Sequence, residues 1–266
     1  MEPFRALVAD KLPESQRSYG FVMQTLIIGV GTWIASNLPW LVNKLGVSNV
    51  ADPGIVPLSI KIAFAIGGAV FLLSILYTIF TTSEYPPEDI EELKKSNHES
   101  KGLLNGVKEI FQSISNMPKT MALLGVIQFF SWFAFFAMWS LATPALTDHV
   151  FKAPLPLEQA YNMSDAASKA LFAHASKAYN NAADLVGSYM GMYGLSSMAF
   201  ALILTLYAAK RDINRKYIHM ISLLAGGIGF ISMYFISDPK YLIYSFILIG
   251  VSWGSILSMP YAMLSS

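Results

Sequence analysis

The chain has 266 residues, 54% of them apolar and only 13% charged, with a formal net charge of +1 and no cysteine. Soluble domains carry about 25% charged residues, so this composition names lipid, rather than water, as the main solvent. The near-neutral charge gives no footing for nucleic acid, and the lack of cysteine excludes disulfides, thiolate metal sites and cysteine nucleophiles.

The polar segment 1–18 has no apolar core of the kind a signal sequence needs. Six apolar stretches follow, at about 20–42, 59–82, 120–146, 184–208, 217–237 and 241–264. Each is long enough, at ~1.5 Å per residue, to cross a ~30 Å hydrocarbon core. Lipid offers no partners for backbone N–H and C=O groups, so the spans must be helical. The expected fold is all-α: a polytopic bundle of six transmembrane helices. Charge stays near the span ends, as at Lys61 and Asp184.

Two connections are longer than a hairpin needs. The segment 83–119 is charged, begins near the helix-stopping Pro86-Pro87, and carries Leu103, Leu104, Val107, Ile110, Phe111 and Ile114 at helical spacing. It reads as a loop containing an amphipathic helix at the membrane surface. The segment 150–183 contains SDAASKALFAHASKAYNNAADL. Its alanines predict a helix that runs on into the fourth span, with Ser164 as N-cap.

Basic residues set the orientation. Twelve Lys and Arg fall on the side of residues 1–19, 83–119 and the short loop KRDINRK, against six on the other side. Both termini and the 83–119 loop are therefore expected to be cytoplasmic, and the 150–183 insertion external.

The third span carries Gln128, Trp132, Phe135 and Trp139 at offsets of four, seven and eleven, one face of a helix. An amide hydrogen-bonds hydroxyls, and flat rings cover the apolar face of a pyranose, so this stripe is the leading sugar-site candidate. Gln24 and Asn37 are the polar residues of the first span, and Asn37 is expected to satisfy a carbonyl freed by Pro39. Asp184 is the acid nearest a span interior and is a candidate for ion or sugar contact. Trp253 and Tyr261 of the last span are candidates to face a cavity. Rows of small residues (Gly187, Gly191 and Gly194; Gly226, Gly227 and Gly229; Gly250, Gly254 and Ser258) predict close helix approach. His98, His149, His174 and His219 lie in loops or at loop edges without metal-ligand spacing, and no catalytic constellation or phosphate loop stands out. No cofactor and no enzymatic activity are expected.

Five strings carry a family resemblance: RALVADKLPESQR, FFSWFAFFAMW, NNAADLVGSY, RKYIH and SWGSILSMPYAMLSS. In this order they resemble the major facilitator superfamily, and more narrowly its sucrose and maltose (α-glucoside) branch, related to glycoside–cation symporters. The resemblance implies a sugar carrier of the plasma (inner) membrane that works by alternating access, with a sugar substrate and a co-transported proton. It also implies that the chain spans family helices five to ten of a twelve-helix fold. Residues 1–82 would then close the N-terminal bundle, 83–119 form the central loop, and 120–266 hold four spans of the C-terminal bundle. Pro3-Phe4-Arg5-Ala6-Leu7 and Pro260-Tyr261-Ala262-Met263-Leu264 would be equivalent helix ends of the two halves. Arg5 and Asp10 match a charged gate of that branch, and Lys210, Arg211 and Arg215 match the superfamily's basic loop between helices eight and nine. Plant members carry an acid in helix seven, where this chain has Trp139-Ser140-Leu141. Under this reading the 266-residue chain alone is expected not to move maltose or sucrose into liposomes. The competing expectation is a self-contained six-span channel or carrier for another small solute.

Overall fold

The computed structural model describes residues 11–52, 54–83, 115–208 and 214–264, with the isolated positions 107 and 112. Among these residues there is no strand. Six long helices follow in order: α1 (Glu14–Lys44), α2 (Leu58–Thr81), α3 (Lys119–His149), α4 (Ala166–Ala208), α5 (Arg215–Phe235) and α6 (Leu242–Leu264). All six are long and apolar enough to cross a membrane, and the chain is an integral membrane protein. Each predicted span corresponds to one helix, and the largest difference is at the start of α4. Apart from the isolated positions 107 and 112, the expected amphipathic helix at 103–114 lies outside the described residues, as do the Pro3–Leu7 string and the gate residues Arg5, Asp10, Lys210 and Arg211.

With 43 residues, α4 runs about 64 Å at 1.5 Å per residue, roughly twice the hydrocarbon thickness. Its first part, 166–183, is the Ala-rich continuation expected from sequence. The cap differs by one residue from expectation. Asp165 Oδ2 accepts from the Ser168 N–H at 2.9 Å, whereas the Ser164 N–H donates to Asn162 Oδ1 at 3.1 Å. Ala166 is the first helical residue, so Asp165 holds the position from which a side chain reaches the third helical N–H.

α4 is the spine of the bundle: one face packs on α1 and another on α6, and α5 lies along α6. In lipid no hydrophobic force drives apolar helices together, so close packing and interhelical hydrogen bonds must hold them. Glycines supply the closeness. A Cβ on Gly29 would sit 2.7 Å from the Gly194 carbonyl oxygen across the α1–α4 seam. Gly250 meets the Tyr193 carbonyl and Ser196 across the α4–α6 seam, and Gly229 meets Ser245 and Ile249 between α5 and α6. Serine bonds reinforce both: Ser196 Oγ donates to the Ile247 carbonyl at 2.7 Å, and Ser232 and Ser245 share a 2.7 Å bond.

The other surfaces suit lipid. Ser59 and Ala63 at the start of α2 are buried, whereas Phe64 and Phe80 further along are 79% and 82% exposed. The buried core gathers where α3, α4 and α6 meet, around Phe135, Met138, Val186, Tyr193, Phe246 and Ile249.

Candidate substrate site between the third and sixth helices

The stripe on α3 turns as a unit toward α6, and Trp253 is its focus. The Trp253 ring lies 5.5 Å from Trp132, 4.8 Å from Phe135 and 5.4 Å from Trp139, centroid to centroid. Most of these pairs meet edge to face, the arrangement favoured by ring quadrupoles. Trp139 Nε1 donates to the Tyr193 hydroxyl at 3.2 Å, which ties the cluster to α4.

The four rings differ in access. Phe135 is 2% exposed and also packs on Phe230 at 5.7 Å, so it forms the floor. Trp132 is exposed, and Trp139 and Trp253 are half-buried, which leaves an aromatic wall with open indole surface.

One turn before Trp132, Gln128 Nε2 donates to the Ile256 carbonyl of α6 at 3.3 Å. That bond fixes which end of the amide is the NH2 group. Gln128 Oε1 is buried and has no hydrogen-bond partner among the described residues. An unsatisfied buried acceptor costs about 1–3 kcal/mol. A hydroxyl donor arriving here recovers that cost, so the site holds an acceptor ready beside aromatic rings.

Asp184 sits elsewhere, at the end of the bundle that carries the 45–57 loop. Its Oδ2 accepts from Asn49 Nδ2 at 3.2 Å and from Asn43 Nδ2 at 3.5 Å. Asn49 Nδ2 also donates to Asn181 Oδ1 at 2.9 Å, and Asn180 Nδ2 donates to the Asn49 carbonyl at 2.6 Å. Asp184 and Asn49 are both buried. This network clips the end of α1 and its following loop onto α4. Asp184→Ala removes the acceptor shared by the buried Asn49 amide and the half-buried Asn43 amide, and is expected to cost about 1–3 kcal/mol. Hydrogen exchange of residues 43–50 should then speed up, while exchange in α5 and α6 stays unchanged.

Gln24 is half-buried in α1 and is not among the residues gathered at Trp253. Asn37 corrects an expectation: its Nδ2 donates to the Trp33 carbonyl at 2.8 Å. The carbonyl that Pro39 deprives of its usual donor is that of Ala35, and the Asn37 side chain reaches back four residues, past it. Of the gating residues, Arg215 opens α5, where the Asn214 side chain caps the helix by accepting from the Tyr217 N–H. Tyr261 is described only by its place in α6.

Sequence reading did not single out Tyr193, Phe230 or Ser255. Tyr193 and Phe230 lie in apolar runs where nothing marks one ring above another, and their roles come from helix–helix contact alone. His219 also departs from its expected loop-edge setting. It is buried within α5, with Nδ1 at 2.8 Å from Ser255 Oγ. No group of three His, Cys, Asp or Glu suited to a metal ion occurs among the described residues.

Compared with known proteins, residues 3–266 match the family model described as the Major Facilitator Superfamily. No curated protein and no solved structure matches the chain.

Proposed function

Because the chain belongs to the major facilitator superfamily, a family of membrane transporters, we propose that it serves secondary active transport of a sugar by alternating access. The substrate is a di- or oligosaccharide α-glucoside such as maltose or sucrose, carried with a proton across the plasma (inner) membrane. Both termini face the cytoplasm. The chain supplies family helices five to ten, so α1 and α2 belong to one bundle and α3 to α6 to the other.

The observation that carries the sugar reading is Gln128: an amide oxygen buried without a partner among the described residues, one helical turn from Trp132, whose indole packs with those of Trp139 and Trp253. Hydroxyl acceptor and flat apolar ring are the two contacts a pyranose asks of a protein. The α1–α4 seam supports the two-bundle reading, because it is lined by Gly29, Gly187, Gly191 and Gly194. Small side chains let two bundles meet closely and shift without interlocked knobs. Asp184 holds the outer end of that seam, and Trp132, Trp139 and Trp253 hold the sugar ring.

Three of the five tryptophans lie in the site, so intrinsic fluorescence reports on it. Titrating the chain in nanodiscs with maltose and sucrose should give a saturable emission change, with amino acids and nucleosides giving none. Gln128→Ala should weaken the maltose response about tenfold, the equivalent of one hydrogen bond to substrate at ~1.4 kcal/mol. A response to another solute class, with none to α-glucosides, would overturn the sugar assignment.

A further inference from the structure

The first part of α4 is roofed by two loops, 45–57 and 150–165. Between them lies a pocket of about 210 Å³, on the scale of a single hexose ring. It is built with local precision. The Ile55 N–H bonds to the Asp52 carbonyl at 3.0 Å, closing a turn in which Gly54 has φ 74°. That turn places Asp52 on the rim, and the 3-10 turn Glu158–Ala160 places Glu158 there too. From α4 come Ser176, Tyr179 and Asn180. Ser176 is 9% exposed, and one N–H of the Asn180 Nδ2 is already engaged with the Asn49 carbonyl at 2.6 Å, which leaves its amide oxygen and the second N–H for other partners. Phe172 is held beneath by Tyr161, ring against ring at 5.3 Å.

The lining thus offers two carboxylates, one amide and two hydroxyls over an apolar base, and among the described lining residues no basic group. Such a set is rich in acceptors. A neutral ring bearing several adjacent hydroxyl donors matches it, because one carboxylate can accept from two neighbouring hydroxyls. We propose that this pocket is an outer docking site for one pyranose ring, separate from the Gln128 site and placed to take up sugar before it enters the bundle. The proposal rests on the sugar-transport reading above. Asp52 and Glu158 are its specificity-determining acceptors, and Ser176 lies in its wall.

The chain contains no cysteine, so a single introduced thiol reports on this pocket alone. Ser176→Cys, which changes little in volume, and Leu155→Cys, on the exposed rim, are each treated with a water-soluble maleimide in nanodiscs. With maltose at ten times its Kd, about one pocket in eleven remains free, and labelling of both variants should slow about tenfold. Adding Asp52→Asn and Glu158→Gln should restore the fast rate while leaving the maltose-induced tryptophan emission change intact. An emission change with unaltered labelling overturns the outer site and leaves the proposed function standing. Protection by an organic cation such as choline, with none by maltose, also overturns it. So does protection that survives loss of both carboxylates. If neither signal responds to any sugar, the transport reading fails and the outer site falls with it.

Discussion

Trp253→Ala is expected to lower the stability of the bundle by about 3 kcal/mol. The indole touches Trp132, Phe135, Trp139 and Tyr193, so its removal opens a void bounded by α3, α4 and α6. Lipid is nearly as apolar as the core, and the transfer part of the usual penalty is therefore small. The cavity part remains: ~24 cal/mol per Å³ over a void of roughly 120 Å³ gives about 3 kcal/mol. Thermal unfolding in detergent, followed by far-ultraviolet circular dichroism, should show a lower midpoint. Phe80→Ala is the control, since Phe80 is 82% exposed on α2 and should leave the midpoint unchanged. Equal effects for the two would mean that the tryptophan cluster is not a packed junction.

Gly250→Ala is the second large effect, and it comes from adding atoms. The new methyl group would land on the Tyr193 carbonyl oxygen and 2.6 Å from the Ser196 Cβ. A backbone carbonyl inside a helix cannot rotate aside, so α4 and α6 must separate. Overpacking of this kind costs about 1–3 kcal/mol, and here it also stretches the bond between Ser196 and the Ile247 carbonyl. Gly227 has nothing within 4 Å of a built Cβ. Gly227→Ala should therefore be neutral or stabilising by about 0.5–1 kcal/mol through helix propensity. The same thermal measurement separates the two glycines: a fall for Gly250→Ala and no fall for Gly227→Ala.

That pair shows where sequence reading stops. The row Gly226, Gly227 and Gly229 announces a close approach but not its direction. In the structure Gly226 and Gly229 meet α6 and Gly227 does not. Span number and helical class were legible because hydrocarbon thickness and backbone desolvation leave few alternatives. The α3 stripe was legible because 3.6-residue periodicity puts Gln128, Trp132, Phe135 and Trp139 on one face. Periodicity could not say that the face meets Trp253, or that Phe135 is floor and Trp132 wall, since those facts belong to the partner helix. Asp184 was visible as an acid near a span end. Its partners Asn43 and Asn49 lie 141 and 135 positions away, and no local pattern joins residues so far apart. The cap at Asp165 was missed by one position because Ser164 and Asp165 are equally good capping types, and only the helix start decides between them.

Equilibrium binding of radiolabelled maltose to the intact chain in nanodiscs tests the sugar-transport reading most directly, with wild type and Gln128→Ala compared side by side. Saturable binding that unlabelled sucrose displaces, weakened about tenfold at the Gln128 site in the variant, is the predicted result. Absence of saturable binding, or binding that Gln128→Ala leaves untouched, would contradict the account.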